Sequence, residues 1–267
     1  MSSAGKVAPR ELGPSEHGAA IQAGSCEISA AEGYERWAPT YDQAPNPLLA
    51  REERYLMPLL PELRDKPILD LACGTGRWLE KLVARGGYLA LGVDRSEAML
   101  RVAKQKSAIQ GRLTRAVCEK LPFRSASFDL AICSFAVGHI RDLASMVREL
   151  ARVVRPAGEV FVSDLHSEAY GRGWRVGFRD ENIAIQIEMQ PRTAEEIVRA
   201  FYANGFECLT YIPLCLGRSE RPIFVRAGKA HLFAQACEVP AVLVCHFKRL
   251  SDRSIQSPRK DFAEATQ

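Results

Sequence analysis

The sequence predicts an α/β protein built on a parallel sheet, and three observations carry that prediction. An apolar run from Ile68 to Ala72 ends in a Gly-x-Gly turn and passes at once into helical spacing. That pattern is typical of a buried strand, a turn and a helix. A second apolar run over 88–93 ends at Asp94. Strand-like and helix-like stretches then alternate up to residue 164, and such alternation favours a parallel sheet with right-handed crossovers.

Composition narrows the class further. A chain of 267 residues can bury a sizeable core as one large domain with a lid. No apolar run reaches the ~18 residues of a membrane span, and the N-terminus lacks the apolar core of a signal peptide. The net charge of +4 is too dispersed to indicate nucleic-acid binding. Eight cysteines without a Cys-x-x-Cys pair suit reduced thiols in a cytoplasmic protein, with no disulfide framework and no metal site.

The chain divides into a lead, one domain and a tail. We expect residues 1–28 to be a disordered lead, 29–250 a single domain that begins with a cap over 29–64, and 251–267 a flexible tail. Within the domain the pattern predicts strands at 67–72, 88–93, 112–117, 128–133, 158–164, 206–215 and 241–248, and helices at 76–85, 96–106 and 142–154. Asp142 is the expected cap of the last of these helices, and 156–158 its expected end. The pattern also predicts a helix within 48–63, an amphipathic helix that starts at Thr193, and a hairpin turn at 180–182.

The glycine turn predicts a ligand site. Gly74 and Gly76 have no Cβ, so the backbone there can adopt positive φ and a ligand can approach it closely. Asp70 lies within the strand before the turn, where a carboxylate is costly unless it has partners. Asp94 ends the next strand about 20 residues further on, a position suited to binding ribose hydroxyls. Together these residues predict a nucleoside ligand that also carries a positive or donor group.

Two interpretations of the loop compete. A dinucleotide fingerprint requires G-x-G-x-x-G, and the third glycine position holds Leu79. The stretch 70–76, Asp-Leu-Ala-Cys-Gly-Thr-Gly, instead resembles the nucleoside loop of class I S-adenosylmethionine-dependent methyltransferases. The stretches 118–123 and 127–134 resemble the later motifs of that family. The stretch 33–42 resembles the Tyr-x-x-x-Ala-x-x-Tyr-Asp cap of ubiquinone/menaquinone-type methyltransferases.

The resemblance implies a fold, a cofactor and an activity. The fold is a Rossmann-like, doubly wound seven-stranded sheet of order 3-2-1-4-5-7-6, with strand 7 antiparallel and a lid over 165–192 after strand 5. The cofactor is S-adenosylmethionine, and the activity is methyl transfer to an O, C or N atom of a small molecule. Many relatives carry Asp at the position of Val117, where it accepts from the adenine amino group, so this side-chain acceptor is lost unless Glu119 supplies it.

The same resemblance assigns candidate cofactor residues. It implies that Asp70 orients the loop and the methionine ammonium, that Asp94 binds the ribose, and that Arg95 covers one adenine face. The full set is Tyr34, Tyr41, Asp70, Ala72, Cys73, Gly74, Thr75, Gly76, Asp94, Arg95, Met99, Cys118, Glu119 and Ser134. The competing interpretation of the 33–42 segment is an aromatic helix that only packs on the core.

Two histidines are candidate bases. His139 follows the fourth strand near the methyl site, and His166 ends the fifth strand in a segment expected to face the same cleft. Histidine titrates close to neutral pH. A structural, hydrogen-bonding role for His139 is equally compatible with the sequence. The lid is expected to form acceptor-pocket walls with Trp174 and Phe178. Most of its arginines, at 172, 175, 179 and 192, are expected on the surface, and one or two could pair with an anionic acceptor.

Three functions stay open at this stage. The leading one is methyl transfer to a small molecule. A nicotinamide-dependent oxidoreductase is the alternative from another class, and a non-catalytic relative that only binds the cofactor is the third. Nucleic-acid methylation is disfavoured, because no Asn/Asp-Pro-Pro-aromatic motif ends the fourth strand and no basic domain is appended.

Overall fold

Seven strands form the main sheet of the protein. A computed structural model describes residues 25–43, 45–180 and 183–251. The strands of these ranges are β1 (Ser25–Ile28), β2 (Ile68–Leu71), β3 (Ala90–Asp94), β4 (Leu113–Arg115), β5 (Phe128–Ser134), β6 (Val154–Leu165), β7 (Gly177–Asp180), β8 (Ile183–Ile187), β9 (Phe206–Cys215) and β10 (Pro240–Arg249). The α-helices are α1 (Ala30–Trp37), α2 (Pro47–Leu56), α3 (Arg77–Ala84), α4 (Glu97–Ala103), α5 (Leu143–Val153), α6 (Ser167–Gly171), α7 (Ala194–Tyr202), α8 (Arg221–Arg226) and α9 (Phe233–Cys237).

The main sheet is parallel except for one inserted strand. Its order is β4-β3-β2-β5-β6-β10-β9, which reads 3-2-1-4-5-7-6 when its seven strands are numbered along the chain. The pairs from β4 to β6 are all parallel, whereas β10 is antiparallel to both β6 and β9. The α/β class and the Rossmann-like architecture predicted from the sequence are therefore confirmed.

Apolar side chains cover both faces of this sheet. Ile68 and Leu69 are adjacent in β2 and both fully buried, yet they belong to separate apolar clusters. Successive strand residues point to opposite faces, so a strand covered on both sides must be apolar throughout. Helices α2 and α3 supply one cluster, through Leu56 and Trp78 for example, and α5 and α7 supply the other. This explains why the run 68–72 is apolar at every position except Asp70 rather than alternating.

Several predicted boundaries need correction. The stop expected at 156–158 is wrong as a helix end, because α5 ends at Val153 and β6 begins immediately. Residues 155–158 instead form an irregularity in β6, where the pairing with β5 shifts register and Ala157 has a φ of 65°. Helix α4 is shorter than predicted and ends at Ala103, and β4 has only three residues. The predicted caps Asp142 and Thr193 are present, each accepting from a backbone N–H of its helix.

A second, three-stranded sheet joins the N-terminal segment to the lid. Its order is β1-β8-β7, with β1 parallel to β8 and β7 antiparallel to it. The expectation of disorder is therefore wrong for 25–28, because these residues find hydrogen-bond partners in the lid that a sequence pattern does not reveal. Residues 1–24 lie outside the described residues, as do 252–267 of the predicted tail. The predicted lid hairpin is present, although positions 181 and 182 of its turn are outside the described ranges.

Candidate functional site

A cavity of about 600 Å³ lies beyond the carboxyl ends of β2, β3 and β5, beneath α1. Its volume is within the range of small-molecule sites, and its position is where ligands bind in open parallel sheets. All but one of the residues predicted to bind the cofactor line it. They are Tyr34, Tyr41, Asp70, Ala72, Cys73, Gly74, Thr75, Asp94, Arg95, Met99, Cys118, Glu119 and Ser134.

Glycine is required at positions 74 and 76 of the loop for different structural reasons. Gly74 has a φ of 55°, and a Cβ added there would meet nothing within 4 Å, so the space above it is open to a ligand. Gly76 has a φ of 83° and does not line the cavity; a Cβ there would lie 2.4 Å from Cδ1 of Ile109. The prediction that Gly76 contacts the cofactor is therefore not supported by the geometry. Its lack of a side chain lets α3 begin close to the segment that contains Ile109.

Asp94 organises the loop through both carboxylate oxygens. Oδ2 accepts from the backbone N–H of Gly74 and Oδ1 from that of Ser96, each at 2.8 Å. Burial raises the pKa of Asp94, while these N–H donors act in the opposite direction. Each carboxylate oxygen has two lone pairs, so acceptor capacity remains for two hydroxyl groups.

Asp70 is the least satisfied acid of the cavity. Its side chain is 2% exposed, and within the described ranges Oδ2 has no hydrogen-bond partner. Burial raises the pKa of Asp70 to about 7, although the positive charge of Arg77 lowers it. A buried carboxylate oxygen without a donor costs free energy that a cationic or N–H group of a ligand would offset.

Glu52 is the centre of a buried network at the inner end of the cavity. This residue of α2 is fully buried and binds the Arg77 guanidinium. It also accepts from Nε1 of Trp78 at 3.2 Å, from Oγ of Ser134 at 2.6 Å and from the Ser163 hydroxyl. Arg77 in turn donates to Ser134 Oγ at 2.9 Å. The network connects α2, α3, β5 and β6 directly behind the glycine loop.

Two acidic residues attach the cap to the loop. Glu35 of α1 accepts from Ser96 Oγ at 2.8 Å and lies 3.4 Å from the backbone nitrogen of Ala98. Asp42 accepts from Thr75 Oγ1 at 2.8 Å and pairs with Lys106 at 2.9 Å. The N-terminal segment therefore contacts the glycine loop and α4 through charged and polar groups as well as through its aromatic rings.

The two candidate bases lie in different surroundings. His139 lines the cavity, where Nε2 is 2.9 Å from the Tyr34 hydroxyl and Nδ1 is 3.0 Å from the backbone oxygen of Glu188. Burial lowers the pKa of His139, and the buried carboxylate of Asp164 opposes that change. His166 does not line the cavity. It caps α6 by accepting from the backbone N–H of Glu168, so the expectation that it faces the cleft is wrong.

The lid contributes to the cavity through its last residues. Glu188, Met189 and Gln190 line it, and the backbone N–H of Gln190 donates to the oxygen of Gly138 at 2.7 Å. The expectation that Trp174 and Phe178 form cavity walls is wrong. Trp174 is buried in the main core, and Phe178 stacks on Trp37 of α1 with ring centroids 5.4 Å apart.

Three of the four lid arginines named in the sequence analysis bind other groups of the protein. Arg175 donates to the backbone oxygens of Tyr170 and Trp174, and Arg172 pairs with Glu168. Arg192 donates towards Gln190 and the backbone at 140 and 141. Arg141, which was not singled out in the sequence, lines the cavity two residues after His139.

Sequence reasoning missed Glu35, Asp42, Glu52 and Asp164. A signal for Glu52 was available, because it is four residues from both Leu48 and Leu56 and so lies on the apolar face of its predicted helix. A charge on such a face requires a buried partner. Its particular partners, and those of Glu35 and Asp42, come from elements distant in sequence, and local patterns do not identify them.

Comparison with known proteins agrees with this geometry. Residues 69–162 match the family model described as methyltransferase domain. The chain is 39% identical over 98 residues to a malonyl-[acyl-carrier protein] O-methyltransferase of Erwinia pyrifoliae, covering 37% of each chain. It is 30% identical over 135 residues to a demethylmenaquinone methyltransferase of Bacillus licheniformis, covering 48% of this chain and 58% of the relative. Against a ubiquinone biosynthesis O-methyltransferase of Ralstonia nicotianae the identity is 37% over 111 residues, covering 40% and 46%. The chain thus spans about half the length of these relatives or less.

Solved structures show the same fold. An S-adenosylmethionine-dependent methyltransferase from Mesorhizobium loti superposes with a TM-score of 0.60 at 23% identity, covering 74% of this chain and 98% of that one. The [4+2]-cyclase SpnF superposes at 0.59 and 16% identity, covering 85% and 99%. These structures share the fold of this chain. The match of residues 69–162 to the methyltransferase domain model agrees with the resemblance that the sequence motifs indicated.

None of the helices in the described ranges combines the length and the apolar content that a membrane-spanning segment needs. The same ranges contain no group of three or more His, Cys, Asp or Glu side chains arranged to hold a metal ion.

Proposed function

We propose that this protein transfers the methyl group of S-adenosylmethionine to a small-molecule acceptor, and that residues 29–250 act as one catalytic domain. One observation carries the proposal. A buried carboxylate oxygen of Asp70 without a hydrogen-bond partner lines the same cavity as the open face of Gly74 and the carboxylate of Asp94. These three features match an ammonium group, a close ligand approach and a ribose diol, which one molecule of this cofactor contains.

The residues of the cavity take separate roles in this proposal. Asp70 binds the amino group of the cofactor, Asp94 binds its ribose hydroxyls, and Cys118 and Glu119 lie beside its adenine. When bound, S-adenosylmethionine supplies a methyl group made electrophilic by a positively charged sulfur. Tyr34 and Tyr41 cover the cavity and exclude water. Alignment of the acceptor and exclusion of water can supply much of the rate acceleration of such a substitution.

The acceptor is a small molecule in this proposal, with the methylated atom an oxygen, carbon or nitrogen. The names of two relatives, a demethylmenaquinone methyltransferase and a ubiquinone biosynthesis O-methyltransferase, make quinone-like acceptors the first to test. For an anionic acceptor, Arg141 is the cavity-lining arginine nearest in sequence to His139. Replacing Arg141 by Gln should raise the KM for an anionic acceptor and leave a neutral one unaffected.

Different observations bear on the two alternative functions, the oxidoreductase and the non-catalytic relative. For an oxidoreductase, the third glycine of the fingerprint would allow close contact between helix and strand. In this chain Leu79 takes the place of that glycine, and the small residue at the contact is Gly92 of β3 instead. A Cβ added to Gly92 would lie 3.0 Å from Cδ2 of Leu79. The fold alone does not establish methyl transfer, because a protein named as a cyclase shares it, and a role that only binds the cofactor is therefore the second alternative. Turnover on an acceptor panel separates that role from methyl transfer.

Calorimetry with S-adenosylhomocysteine tests cofactor binding. We expect micromolar affinity, and Asp94→Ala should weaken it by about 1–3 kcal/mol because two ligand hydroxyls lose their acceptor. Asp129→Ala is the matched control, since Asp129 pairs with Arg155 and does not line the cavity. Unchanged affinity in a folded Asp94→Ala protein would remove the ribose assignment. Incubation of labelled S-adenosylmethionine with a metabolite extract, followed by mass spectrometry, would identify the acceptor.

A further inference from the structure

The hydrogen bonds of His139 define which of its ring nitrogens carries a proton. Nδ1 is 3.0 Å from the backbone oxygen of Glu188, and a carbonyl oxygen can only accept. Nδ1 must therefore carry a hydrogen. Burial lowers the pKa of His139 below its ordinary value, so the ring is neutral at pH 7. In a neutral imidazole with a hydrogen on Nδ1, Nε2 is a bare acceptor.

The bare nitrogen faces the hydroxyl of Tyr34. Nε2 and Oη are 2.9 Å apart, and with Nε2 as acceptor the tyrosine must donate its hydrogen. The two rings meet edge-on, with centroids 5.2 Å apart. The one basic lone pair of His139 is thus occupied by Tyr34, and both side chains line the cavity. An acceptor that occupies the cavity can reach this base only through the tyrosine oxygen.

We propose that Tyr34 is the catalytic residue that receives the acceptor's proton, and that His139 acts behind it by taking the tyrosine's own proton. This inference rests on the proposed methyl transfer. As the acceptor atom bonds to the methyl carbon, the bond from that carbon to sulfur breaks and its electron pair stays on sulfur. The acceptor's proton moves to Tyr34 Oη, and the tyrosine's proton moves to Nε2 of His139. The result is a methylated acceptor, a neutral thioether and an imidazolium that later releases its proton to solvent.

The surroundings of His139 suit a transient positive charge. Asp164 at the end of β6 accepts from the backbone N–H of Gly138 at 2.6 Å, and its carboxylate favours the charged form of His139. The ring also contacts the backbone oxygen of Glu188, and Glu188 and Arg141 line the same cavity. The titratable groups that act on the ring are thus the Tyr34 hydroxyl and the Asp164 carboxylate. Asp164 is a positioning residue here, since it touches neither the acceptor nor the proton in transit.

The pair of Tyr34 and His139 also restricts which chemical groups can be methylated. A proton relay is useful only if the acceptor group must lose a proton, as hydroxyls, enols and carbon acids do. A carboxylate is already deprotonated at pH 7 and has no use for it. Tyr34 is itself a phenol, and a proton can pass between its hydroxyl and a phenol or enol acceptor in one concerted step. We therefore infer a protic acceptor and not a carboxylate.

The relay exists only when the cap is in place. Tyr34 belongs to α1, whereas His139 follows β5, 105 residues later. Closure of the cap over the ligands would complete the base at the moment when water is excluded. An open cap would leave His139 without its hydroxyl partner.

Nitrogen NMR tests the relay without any acceptor. In protein labelled with ¹⁵N-histidine and saturated with S-adenosylhomocysteine, two-bond ¹H–¹⁵N spectra report which ring nitrogen is protonated. We expect His139, assigned by its absence in His139→Gln, to carry its proton on Nδ1. Its Nε2 signal should move in Tyr34→Phe, which keeps the ring and removes only the hydroxyl, and stay in Tyr88→Phe. A proton on Nε2, or an Nε2 signal unmoved by Tyr34→Phe, would overturn the proposal.

Kinetics supplies the second test, with labelled S-adenosylmethionine and the small-molecule fraction of a cell extract as probe. Tyr34→Phe and His139→Gln should each lower methyl transfer by ~10²-fold, and the double variant should lose no more than either, since both act in one step. The wild-type rate should fall at acid pH when His139 gains a proton, and because burial lowers the pKa of His139 the fall should begin below the ordinary range of histidine. An active Tyr34→Phe beside an inactive His139→Gln would make His139 a direct base instead. His139→Gln should bind S-adenosylhomocysteine as the wild type does, whereas a wild type that does not bind it would overturn the proposed function and not merely the relay.

Discussion

We expect Asp70 to couple cofactor binding to proton release. Its pKa of about 7 results mainly from burial, so near neutral pH the side chain is partly protonated. A bound ammonium group favours the ionised carboxylate and lowers that pKa. Binding of an amino-acid ligand must therefore expel a proton from the protein when the pH is near or below 7.

We predict proton release when S-adenosylhomocysteine binds at pH 6.5. Calorimetry in two buffers with different ionisation enthalpies measures the number of protons released. Asp70→Asn cannot ionise, so in that variant the release should disappear and the affinity should fall. Asp129→Asn is the control and should behave as the wild type. The same proton release in Asp70→Asn would show that another group titrates.

Glu52 illustrates a different residue-level constraint, because its charge is buried and multiply bound. The Arg77 guanidinium remains in the interior if the carboxylate is removed, and an unpaired buried charge is costly. We predict that Glu52→Gln lowers the free energy of unfolding by about 3 kcal/mol, measured by urea denaturation. Glu53→Gln removes a carboxylate from the same helix that pairs with Lys81 at the surface, and should cost under about 1 kcal/mol. Equal losses in the two variants would contradict this account.

At the scale of elements, the cap and the lid form one unit. Strand β1 pairs with β8, Arg36 binds Asp180 at 2.5 Å, and Trp37 stacks on Phe178. Gly33 of α1 lies against Ile187 so closely that an added Cβ would be 2.7 Å from Cγ1. We therefore expect residues 30–43 and 183–190 to respond to ligands together.

A matched pair of glycine substitutions tests this coupling. Gly33→Leu should force α1 away from β8, displace Tyr34 and Glu35 from the cavity, and weaken S-adenosylhomocysteine binding about tenfold or more. Gly171→Leu is the control, because this exposed helical glycine has nothing within 4 Å of an added Cβ. In the wild type, hydrogen exchange of 30–43 and 183–190 should slow to a similar degree on ligand binding. Slowing confined to 30–43 would show that the two segments move independently.

The elements of the main sheet were predictable because their signals are local. The apolar runs, the glycine turn and the caps Asp142 and Thr193 each specify nearby backbone. Strand β1 was not predictable, since Ser25–Ile28 is short and its partner β8 is more than 150 residues away. The same holds for Trp174 and Phe178, whose aromatic character is equally suited to a cavity wall and to a core. The sequence pattern indicates that such rings are buried, but it does not indicate which residues they pack against.

At the scale of the molecule, topology explains why most of the site was predictable. Parallel strands place their carboxyl ends at one edge, so residues that follow β2, β3, β4 and β5 must meet there. That rule brought Asp94, Cys118 and Ser134 to one cavity. The rule does not apply to α1 and α2, because these helices precede the alternating strands and helices in the chain. Sequence reasoning therefore missed Glu35 and Glu52. His166 follows a strand at the same edge, yet its ring turns to cap α6.

The cavity is lined by the edge of the main sheet, by α1 and by residues 188–190, which follow β8 of the smaller sheet. A ligand bound there should therefore stabilise the whole molecule. A ligand that binds only the folded state raises the free energy of unfolding by RT ln(1 + [L]/Kd), about 2.7 kcal/mol at a hundredfold excess over Kd. For a domain of this size each kcal/mol corresponds to roughly 2–4 °C in Tm. We therefore predict that S-adenosylhomocysteine at a hundredfold excess raises Tm by about 5–10 °C in thermal unfolding monitored by circular dichroism.

NADH at equal concentration should give no shift, because Leu79 occupies the position where the dinucleotide fingerprint needs glycine. Gly74→Val should lose the response to S-adenosylhomocysteine, since its side chain would occupy the open space above the loop. A shift with NADH and none with S-adenosylhomocysteine would instead favour the oxidoreductase.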